Sequence, residues 1–413
     1  MFYSNKSRTD NKLELFIISI GIREEEEMNN FKFNAYTEIF FGKGEIAKLP
    51  EALKNYGKNV LLVYGGGSIK KNGIYDTVQN LLKGFNIVEL SGVEPNPRIE
   101  TVRRGVELCR ENNIDVVLAV GGGSTIDCAK VVAAGHYYEG DAWDLVTTPS
   151  KIEKVLPIVT VLTMAATGSE MNKNAVISKM DTNEKLGTAS WNMIPKTTIL
   201  DPEYLYTLPA IQTAAGTADI MSHIFEAYFS KTADAFIQDR FSEGILKACI
   251  KYCPIALKEA TNYEARANLM WASSMALNGL TGSGKSGAWT CHPIEHELSA
   301  FYDITHGIGL AILTPRWMRY ILNDSTVDKF VEYAVNVWNM EADEDKFTLA
   351  NKAIDATEEF FRECNIPMTL TDVGIDKTNF RKMAEAAVEH GGLAEAYIPL
   401  NEDDVYNILE MCL

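Results

Sequence analysis

The chain has 413 residues, of which 46% are hydrophobic, so it is long enough for two domains with their own cores. Its net charge of -17, with no run of Lys or Arg longer than a pair, argues against binding to nucleic acid or to an anionic membrane. We therefore expect a globular enzyme with a small-molecule substrate. The seven cysteines are scattered without a C-x-x-C pair, which favours a reduced cytoplasmic setting and packing roles rather than a zinc site.

The N-terminal segment contains one apolar run, "LFIISIGI", but acidic residues flank it on both sides and no small-residue cleavage site follows. This pattern fits neither a signal peptide nor a membrane span. We interpret residues 1–27 as an extension that is non-native or disordered, and we expect Met28 to be the natural start.

Residues 28–208 alternate short β-rich apolar runs with helical patterns. "NVLLVYGGGS" at Asn59 and "DVVLAVGGGST" at Asp115 each indicate a buried strand that ends in a glycine-rich turn. "NIVEL" at Asn86 and "VLPIVTVLT" at Val155 indicate further strands. Alternating β and α segments predict an α/β domain with a parallel, doubly wound, Rossmann-like sheet.

Residues 209–413 lack strand signals and carry apolar residues at helical spacing, as in "TAAGTADIMSHIFEAYFS" and "TVDKFVEYAVNVW". The sequence therefore predicts an all-α second domain. The proline-containing "LDPEYLYTLPA" is the expected hinge, and a cleft should lie between the two domains.

The glycine turns of the first domain form the stronger of two candidate phosphate sites. "GGGS" at Gly65 and "GGGSTIDCAK" at Gly121 follow predicted strands, so backbone and helix-start N–H groups there can hold a pyrophosphate. Neither turn has the G-x-G-x-x-G spacing of the standard Rossmann fingerprint.

The second candidate, "GLTGSGKS" at Gly279–Ser286, matches the P-loop pattern of phosphate-transfer proteins letter for letter. A P-loop needs a buried strand before it, whereas a helix-like stretch precedes this one. We interpret it as a loop between helices, and keep a P-loop protein as the alternative from another class.

Four of the six histidines fall between His223 and His306. Asp219 and His223 are four residues apart, as are His292 and His296, so each pair shares a helical face. An unbroken helix would hold His292 and His306 ~21 Å apart, so a shared site requires a turn, for which "FYDITHG" is the expected place. Asp219 with three imidazoles then predicts a site for one divalent metal, Fe(II) or Zn(II).

At these residues the sequence resembles a known family. The segment Thr198–Glu226 is similar to the long signature of the iron-containing (group III) alcohol dehydrogenases. "GGGSTIDCAK", "ATGSE", "EPNP" and "HPIEHELSAFYDITHGIGLAIL" add further matches. The resemblance runs from about Met28 to the C-terminus and is closest to clostridial-type NADPH-dependent butanol dehydrogenases.

The resemblance implies reversible reduction of a small aldehyde in the cleft between the domains, and a homodimer. It implies that the metal ligands are Asp219, His223, His292 and His306, and that His296 relays protons. Gly66, Gly67, Ser68 and Asn96 would meet the adenosine end of the dinucleotide. Gly122, Gly123, Ser124 and Asp127 would meet its pyrophosphate and nicotinamide side, and the cofactor cleft would be completed by Thr163, Thr167 and Lys185. "LTMAATGSE" departs from the usual "PTTAGTGSE", because Met164 replaces a hydroxyl.

The turn "YGGGSIKK" favours NADP over NAD. It carries no carboxylate that would repel a 2′-phosphate, while Ser68 can donate a hydrogen bond and Lys70 and Lys71 add positive charge. A polyol dehydrogenase of the same superfamily and a non-catalytic metal-binding protein remain as further alternatives.

Overall fold

The computed structural model describes residues 26–232 and 234–413. The expected N-terminal extension therefore lies outside the described residues, except for Glu26 and Glu27. In the part of the chain that is described, no helix is both long and apolar enough to cross a membrane.

The first half is built on a six-stranded parallel sheet, which confirms the predicted α/β class. Its strands are β1 (Glu38–Phe41), β2 (Asn59–Tyr64), β3 (Asn86–Leu90), β4 (Val116–Gly121), β5 (Ile158–Leu162) and β8 (Thr197–Leu200). Their order across the sheet is β1-β8-β5-β4-β2-β3, and every neighbouring pair is parallel. Strand β4 is buried along its whole length, as expected for a central strand that helices cover on both faces.

Four strands went unrecognised in the sequence. Two of them, β1 and β8, are only four residues long. An antiparallel hairpin of β6 (Asn174–Lys179) and β7 (Glu184–Ala189) also follows β5. Its strands "NAVISK" and "EKLGTA" mix lysines with small apolar residues, so they lack the apolar run that marks the central strands.

Helices surround the sheet and form the second half. In the first half they are α1 (Leu49–Leu53), α2 (Ser68–Lys71), α3 (Ile74–Leu81), α4 (Ile99–Glu111), α5 (Gly123–Gly135) and α6 (Ala142–Thr147). In the second half they are α7 (Ala210–Tyr228), α8 (Phe236–Lys258), α9 (Tyr263–Ala276), α10 (Cys291–Tyr302), α11 (His306–Ile321), α12 (Val327–Asn336), α13 (Lys346–Glu363), α14 (Phe380–Gly391) and α15 (Glu402–Met411). The last strand ends at Leu200 and α7 begins at Ala210, so the change of architecture falls in the expected hinge. The exact boundary at residue 208 stays a prediction.

Helix α7 is the central element of the helical half. Nearly every residue from Thr213 to Glu226 is buried, and the helix packs against α8, α9 and α11. A helix that is buried on all sides has no solvated face, so polar side chains along it must find partners inside the protein. Asp219, His223 and Glu226 are such side chains.

All seven cysteines are free thiols buried in the protein, in agreement with the packing role expected from their spacing. Burial raises the pKa of Cys109 and Cys412 to about 12, so these thiols are not nucleophiles.

Candidate functional site

The side chains of the predicted metal site converge at the centre of the helical half. Asp219 and His223 lie one turn apart on α7, His292 is the second residue of α10, and His306 is the first of α11. Helix α10 ends at Tyr302, and Asp303 adopts a left-handed conformation with φ of 51°, which turns the chain. The break expected in "FYDITHG" is therefore present.

The distances place all three imidazoles around one carboxylate oxygen. The Oδ1 atom of Asp219 lies 3.7 Å from Nε2 of His223, 3.7 Å from Nε2 of His292 and 3.6 Å from Nε2 of His306. Oδ1 of Asp219 and Nε2 of His292 are buried without a hydrogen-bond partner among the described residues. Buried polar atoms without partners are costly, so this group fits a bound cation. One carboxylate and three imidazoles suit Zn(II) or Fe(II).

Glu226 orients His292. The Oε1 atom of Glu226 lies 3.0 Å from Nδ1 of His292, and the carboxylate also accepts hydrogen bonds from the backbone N–H groups of Thr290 and His292. It therefore binds the start of α10 to α7 and turns Nε2 of His292 toward Asp219. Burial lowers the pKa of His292, but interactions with Asp219 and Glu226 outweigh it and raise the pKa to about 9.

Glu295 has the same relation to His306. Its Oε2 atom contacts Nδ1 of His306 and lies 3.2 Å from Nζ of Lys185, which reaches the site from β7. Its Oε1 atom accepts a hydrogen bond from Ser299 at 2.5 Å. Lys185, which the resemblance placed in the cofactor cleft, thus lies beside the metal-site histidines.

The pKa values of Asp219 and His223 are also shifted by burial and by the neighbouring side chains. Burial and the neighbouring histidines lower the pKa of His223 to about 3, although Asp219 opposes them. For Asp219, burial would raise the pKa, but His223, His292 and His306 hold it well below its ordinary value. Asp219 is therefore a carboxylate and His223 a neutral imidazole over the physiological range.

His296 lies one turn after His292 on α10 and lines the same cleft. Its ring centroid is 5.7 Å from that of His306. Burial, together with Lys185 and the neighbouring histidines, lowers the pKa of His296 well below its ordinary value, so its imidazole is neutral.

Both halves of the molecule contribute to this cleft, which encloses about 690 Å³ including its open mouth. From the helical half it is lined by His223, Leu277, Trp289, His292, His296 and His306, and from the sheet half by Asn96, Pro97, Ser124, Asp127, Thr167, Ser169, Asn172, Asn174, Val176 and Lys185.

The glycine turn after β4 opens helix α5 beside this cleft. A side chain at Gly123 would place its Cβ 2.3 Å from Oγ1 of Thr167, so only glycine fits against that threonine. Asp127 is buried, receives a hydrogen bond from Ser169 at 2.5 Å and another from the backbone N–H of Val176. The turn is thus packed against the segment that carries Thr167, one of the predicted cofactor residues.

Further predicted cofactor residues lie in three places. Gly66, Gly67 and Ser68 form the exposed turn after β2, where Gly67 has φ of 105°. Asn96 instead lines the cleft with the metal-site histidines, and its amide donates hydrogen bonds to Asp303 and to the carbonyl of Ile304. Thr163 directly follows β5, and its backbone N–H bonds the carbonyl of Gly121. Thr163 is buried and is absent from the cleft lining.

The P-loop-like segment lies in a different environment. Gly279–Ser286 joins two helices, α9 and α10, and no strand precedes it. Nζ of Lys285 is buried in an ion pair with Asp239 and donates to the carbonyl of Ala227. A lysine held in this way is not available to a phosphate, which supports the interpretation as a connecting loop.

Comparison with known proteins agrees with this geometry. Residues 36–202 match the family model "Iron-containing alcohol dehydrogenase", and residues 213–413 match "Fe-containing alcohol dehydrogenase family, C-terminal". The chain belongs to the iron-containing alcohol dehydrogenase family. It is accordingly an oxidoreductase of the alcohol dehydrogenase class.

Members of the family that resemble this chain include both butanol dehydrogenases and aldehyde reductases. NADH-dependent butanol dehydrogenase A of Clostridium acetobutylicum is 58% identical over 93% of this chain and 99% of its own length. The NADPH-dependent aldehyde reductase YqhD of Escherichia coli is 43% identical over 88% of this chain and 94% of its own. The crystal structure of NADH-dependent butanol dehydrogenase A from Thermotoga maritima superposes with a TM-score of 0.89, at 41% identity, covering 94% and 99% of the two chains.

Sequence reasoning missed the two carboxylates that orient the histidines. Glu226 follows His223 by three residues, and Glu295 follows His292 by three residues. Each therefore shares a helical face with a predicted ligand, which was a usable signal. The signal is weak because glutamate is common on solvated helix faces, and only burial distinguishes these two.

Proposed function

We propose that the protein reduces small aliphatic aldehydes such as butanal, and oxidises the corresponding alcohols, by hydride transfer with a nicotinamide dinucleotide. The observation that carries the proposal is the convergence of Asp219, His292 and His306, whose ligand atoms lie within 4.8 Å of one another at a cleft that the dinucleotide-binding half also lines. With His223, these residues would hold one Fe(II) or Zn(II). A divalent ion bound there would supply Lewis acidity toward a carbonyl oxygen.

The residues of the chain would prepare the two reactants for hydride transfer. The glycine turns after β2 and β4, with the start of α5, would present backbone N–H groups to the phosphates of the dinucleotide, and among the described residues nothing lies within 4 Å of a Cβ built at Gly66 or Gly67. Thr167 and Asp127 would hold the nicotinamide side against the cleft. Trp289 packs on His223 and His292 and shields them from water.

His296 would supply the proton that the reduced oxygen requires, directly or through water and the ribose hydroxyls. Because its imidazole is neutral, it can donate from one ring nitrogen while it accepts at the other. In the direction of alcohol oxidation the same group would receive the proton.

We propose NADPH as the preferred reductant, on the basis of the turn "YGGGSIKK". Lys71 is exposed and no described residue pairs with it, so it remains open to a 2′-phosphate. Lys70, by contrast, lies over the rings of Tyr64 and Tyr75 and is 4.0 Å from Glu89, which reduces its contribution. The names of the relatives point both ways, since two that are 58% and 56% identical specify NADH and one that is 43% identical specifies NADPH.

The test is consumption of NADPH and NADH with butyraldehyde after anaerobic reconstitution with Fe(II) or Zn(II). We expect metal-dependent turnover, faster with NADPH. Turnover that requires metal but prefers NADH would overturn the coenzyme assignment alone. An absence of turnover with every metal, coenzyme and aldehyde would overturn the dehydrogenase assignment.

A polyol dehydrogenase is the alternative within the family, because two relatives that are 31% identical are named 1,3-propanediol dehydrogenase. Parallel assays of 1-butanol and 1,3-propanediol oxidation distinguish the two. We also propose that the protein is a cytoplasmic homodimer. Light scattering of the purified protein would measure the molar mass of the assembly and so test the dimer.

A further inference from the structure

Glu295 is the least expected charge in the site. Its side chain is 0% exposed, yet it lies on α10 between the cleft and α11. A buried carboxylate is costly unless it is paired and hydrogen-bonded, and here three groups satisfy it. They are His306, Lys185 and Ser299.

The backbone also makes room for this carboxylate. A Cβ atom at Gly309 would lie 2.8 Å from Cγ and 3.0 Å from Oε1 of Glu295. Helix α11 therefore approaches α10 closely only because residue 309 has no side chain. The position of Glu295 is built into the packing of the two helices rather than being a chance rotamer.

His306 needs an orienting partner more than Asp219 and His223 do. Asp219 and His223 lie in the middle of α7, and their side chains are almost fully buried. His306 begins its helix after an irregular turn, and 23% of its side chain is exposed. Packing alone fixes its ring less firmly.

The hydrogen-bond partners of His306 favour one tautomer. Nδ1 of His306 contacts Oε2 of Glu295 and lies 3.3 Å from Nζ of Lys185, which can instead donate to Oε2 of Glu295 at 3.2 Å. Because a carboxylate only accepts hydrogen bonds, we assign the proton of His306 to Nδ1. Nε2 then keeps its lone pair and faces Asp219 at 3.6 Å. A carboxylate in this position also holds the imidazole ring in one orientation.

We propose that Glu295 is a positioning residue that fixes the tautomer and orientation of His306 for metal binding, with Lys185 of the dinucleotide-binding half balancing its charge. This inference rests on the proposed metal site. It adds a buried contact through which the β6–β7 hairpin supports a metal ligand in the other half.

The experiment measures metal affinity rather than activity, by competition of the metal-free protein with a chromophoric chelator for Zn(II). We expect Glu295→Gln to weaken binding by about 10-fold or more, as is typical when an outer partner of a metal histidine is altered. Glu295→Asp keeps the charge, but its shorter side chain places the carboxylate farther from His306. We therefore expect this variant to weaken metal binding too. The matched control is Glu297→Gln, a buried carboxylate on the same helix that faces His390 instead.

A double-mutant cycle separates positioning from general damage to the fold. In a His306→Ala background, Glu295→Gln should cause no further loss of affinity, because the ring that it orients is gone. An equal loss in both backgrounds, or Gln and Asp variants that bind within about twofold of the wild type, would overturn the proposal. If Asp219→Ala abolishes metal binding in the same assay, either of these outcomes overturns only the role of Glu295, and the proposed metal site still stands. If the wild type itself binds no metal, the proposed metal site fails, and this proposal with it.

Discussion

The two sides of the cleft offer their ligands in different ways. The sheet side presents backbone at glycine turns, and a side chain at Gly123 would collide with Thr167. The helical side presents side chains, and its buried atoms on Asp219 and His292 lack partners among the described residues. In the function proposed above, the sheet side would hold the dinucleotide against main-chain N–H donors, and the helical side would hold a cation. Changes at the glycine turns should leave the metal bound, and changes at the metal ligands should leave the dinucleotide bound.

Removal of a metal-site histidine should have the largest effect. We expect His292→Ala to lower kcat by more than about 100-fold, beyond the loss typical of outer partners, because it removes a ligand outright. Elemental analysis should show metal loss, while dinucleotide binding, measured by fluorescence titration, stays close to that of the wild type. His136→Ala, at the end of α5 and outside the cleft, is the control. Equal activity of the two variants would contradict the assignment.

Adding a side chain at Gly123 tests the role of the sheet side of the cleft in dinucleotide binding. The added methyl group of Gly123→Ala would meet Oγ1 of Thr167 at 2.3 Å, so the turn or the threonine must move. We expect the KM for the dinucleotide to rise by about 10-fold, or ~1.4 kcal/mol, with metal content unchanged. Gly84→Ala, where nothing lies within 4 Å of the new Cβ, should behave as the wild type. A loss of metal instead would mean that the two sides are not separable.

The pH dependence of metal binding follows from His292, whose pKa near 9 means that the metal-free protein carries a proton there at neutral pH. Metal must displace that proton, so affinity should fall about tenfold per pH unit below 9. The same proton stabilises the metal-free fold fully below the ordinary pKa of 6.5, and that stabilisation is lost as the pH rises through 9. Chelator competition from pH 7 to 9 measures the first effect and urea unfolding the second. Metal affinity that is independent of pH would contradict this role.

The sequence predicted the residues that cluster at the metal site better than the carboxylates that orient them. The rarity of imidazole and its i, i+4 spacing pointed to Asp219, His223 and His292, and a turn in "FYDITHG" was needed to add His306. The family resemblance implied the same four residues, and their role as metal ligands stays a prediction. Glu226 and Glu295 were not, since burial decides their role and burial depends on tertiary packing. The hairpin β6–β7 was missed for a related reason: Lys185, which charged strands would normally point to solvent, is buried against Glu295. Asn96 was assigned to the adenosine end, yet Asp303 holds it at the cleft, a contact between residues 207 positions apart.

The smallest effect on activity is expected at the P-loop-like segment, whose sequence matches the motif but whose structural context does not. Lys285 is 4% exposed and pairs with Asp239, which keeps a second partner in Lys329 at 2.6 Å. Lys285→Ala should therefore lower the free energy of unfolding by about 1–3 kcal/mol, the usual cost of a buried partner lost, and leave kcat and KM within about twofold. Lys352→Ala, which breaks an exposed pair with Glu344, should change neither quantity measurably. Loss of aldehyde reduction in Lys285→Ala at unchanged stability would show that this segment takes part in the reaction. The comparison of the two sides of the cleft would then be incomplete, because a third region would contribute to activity.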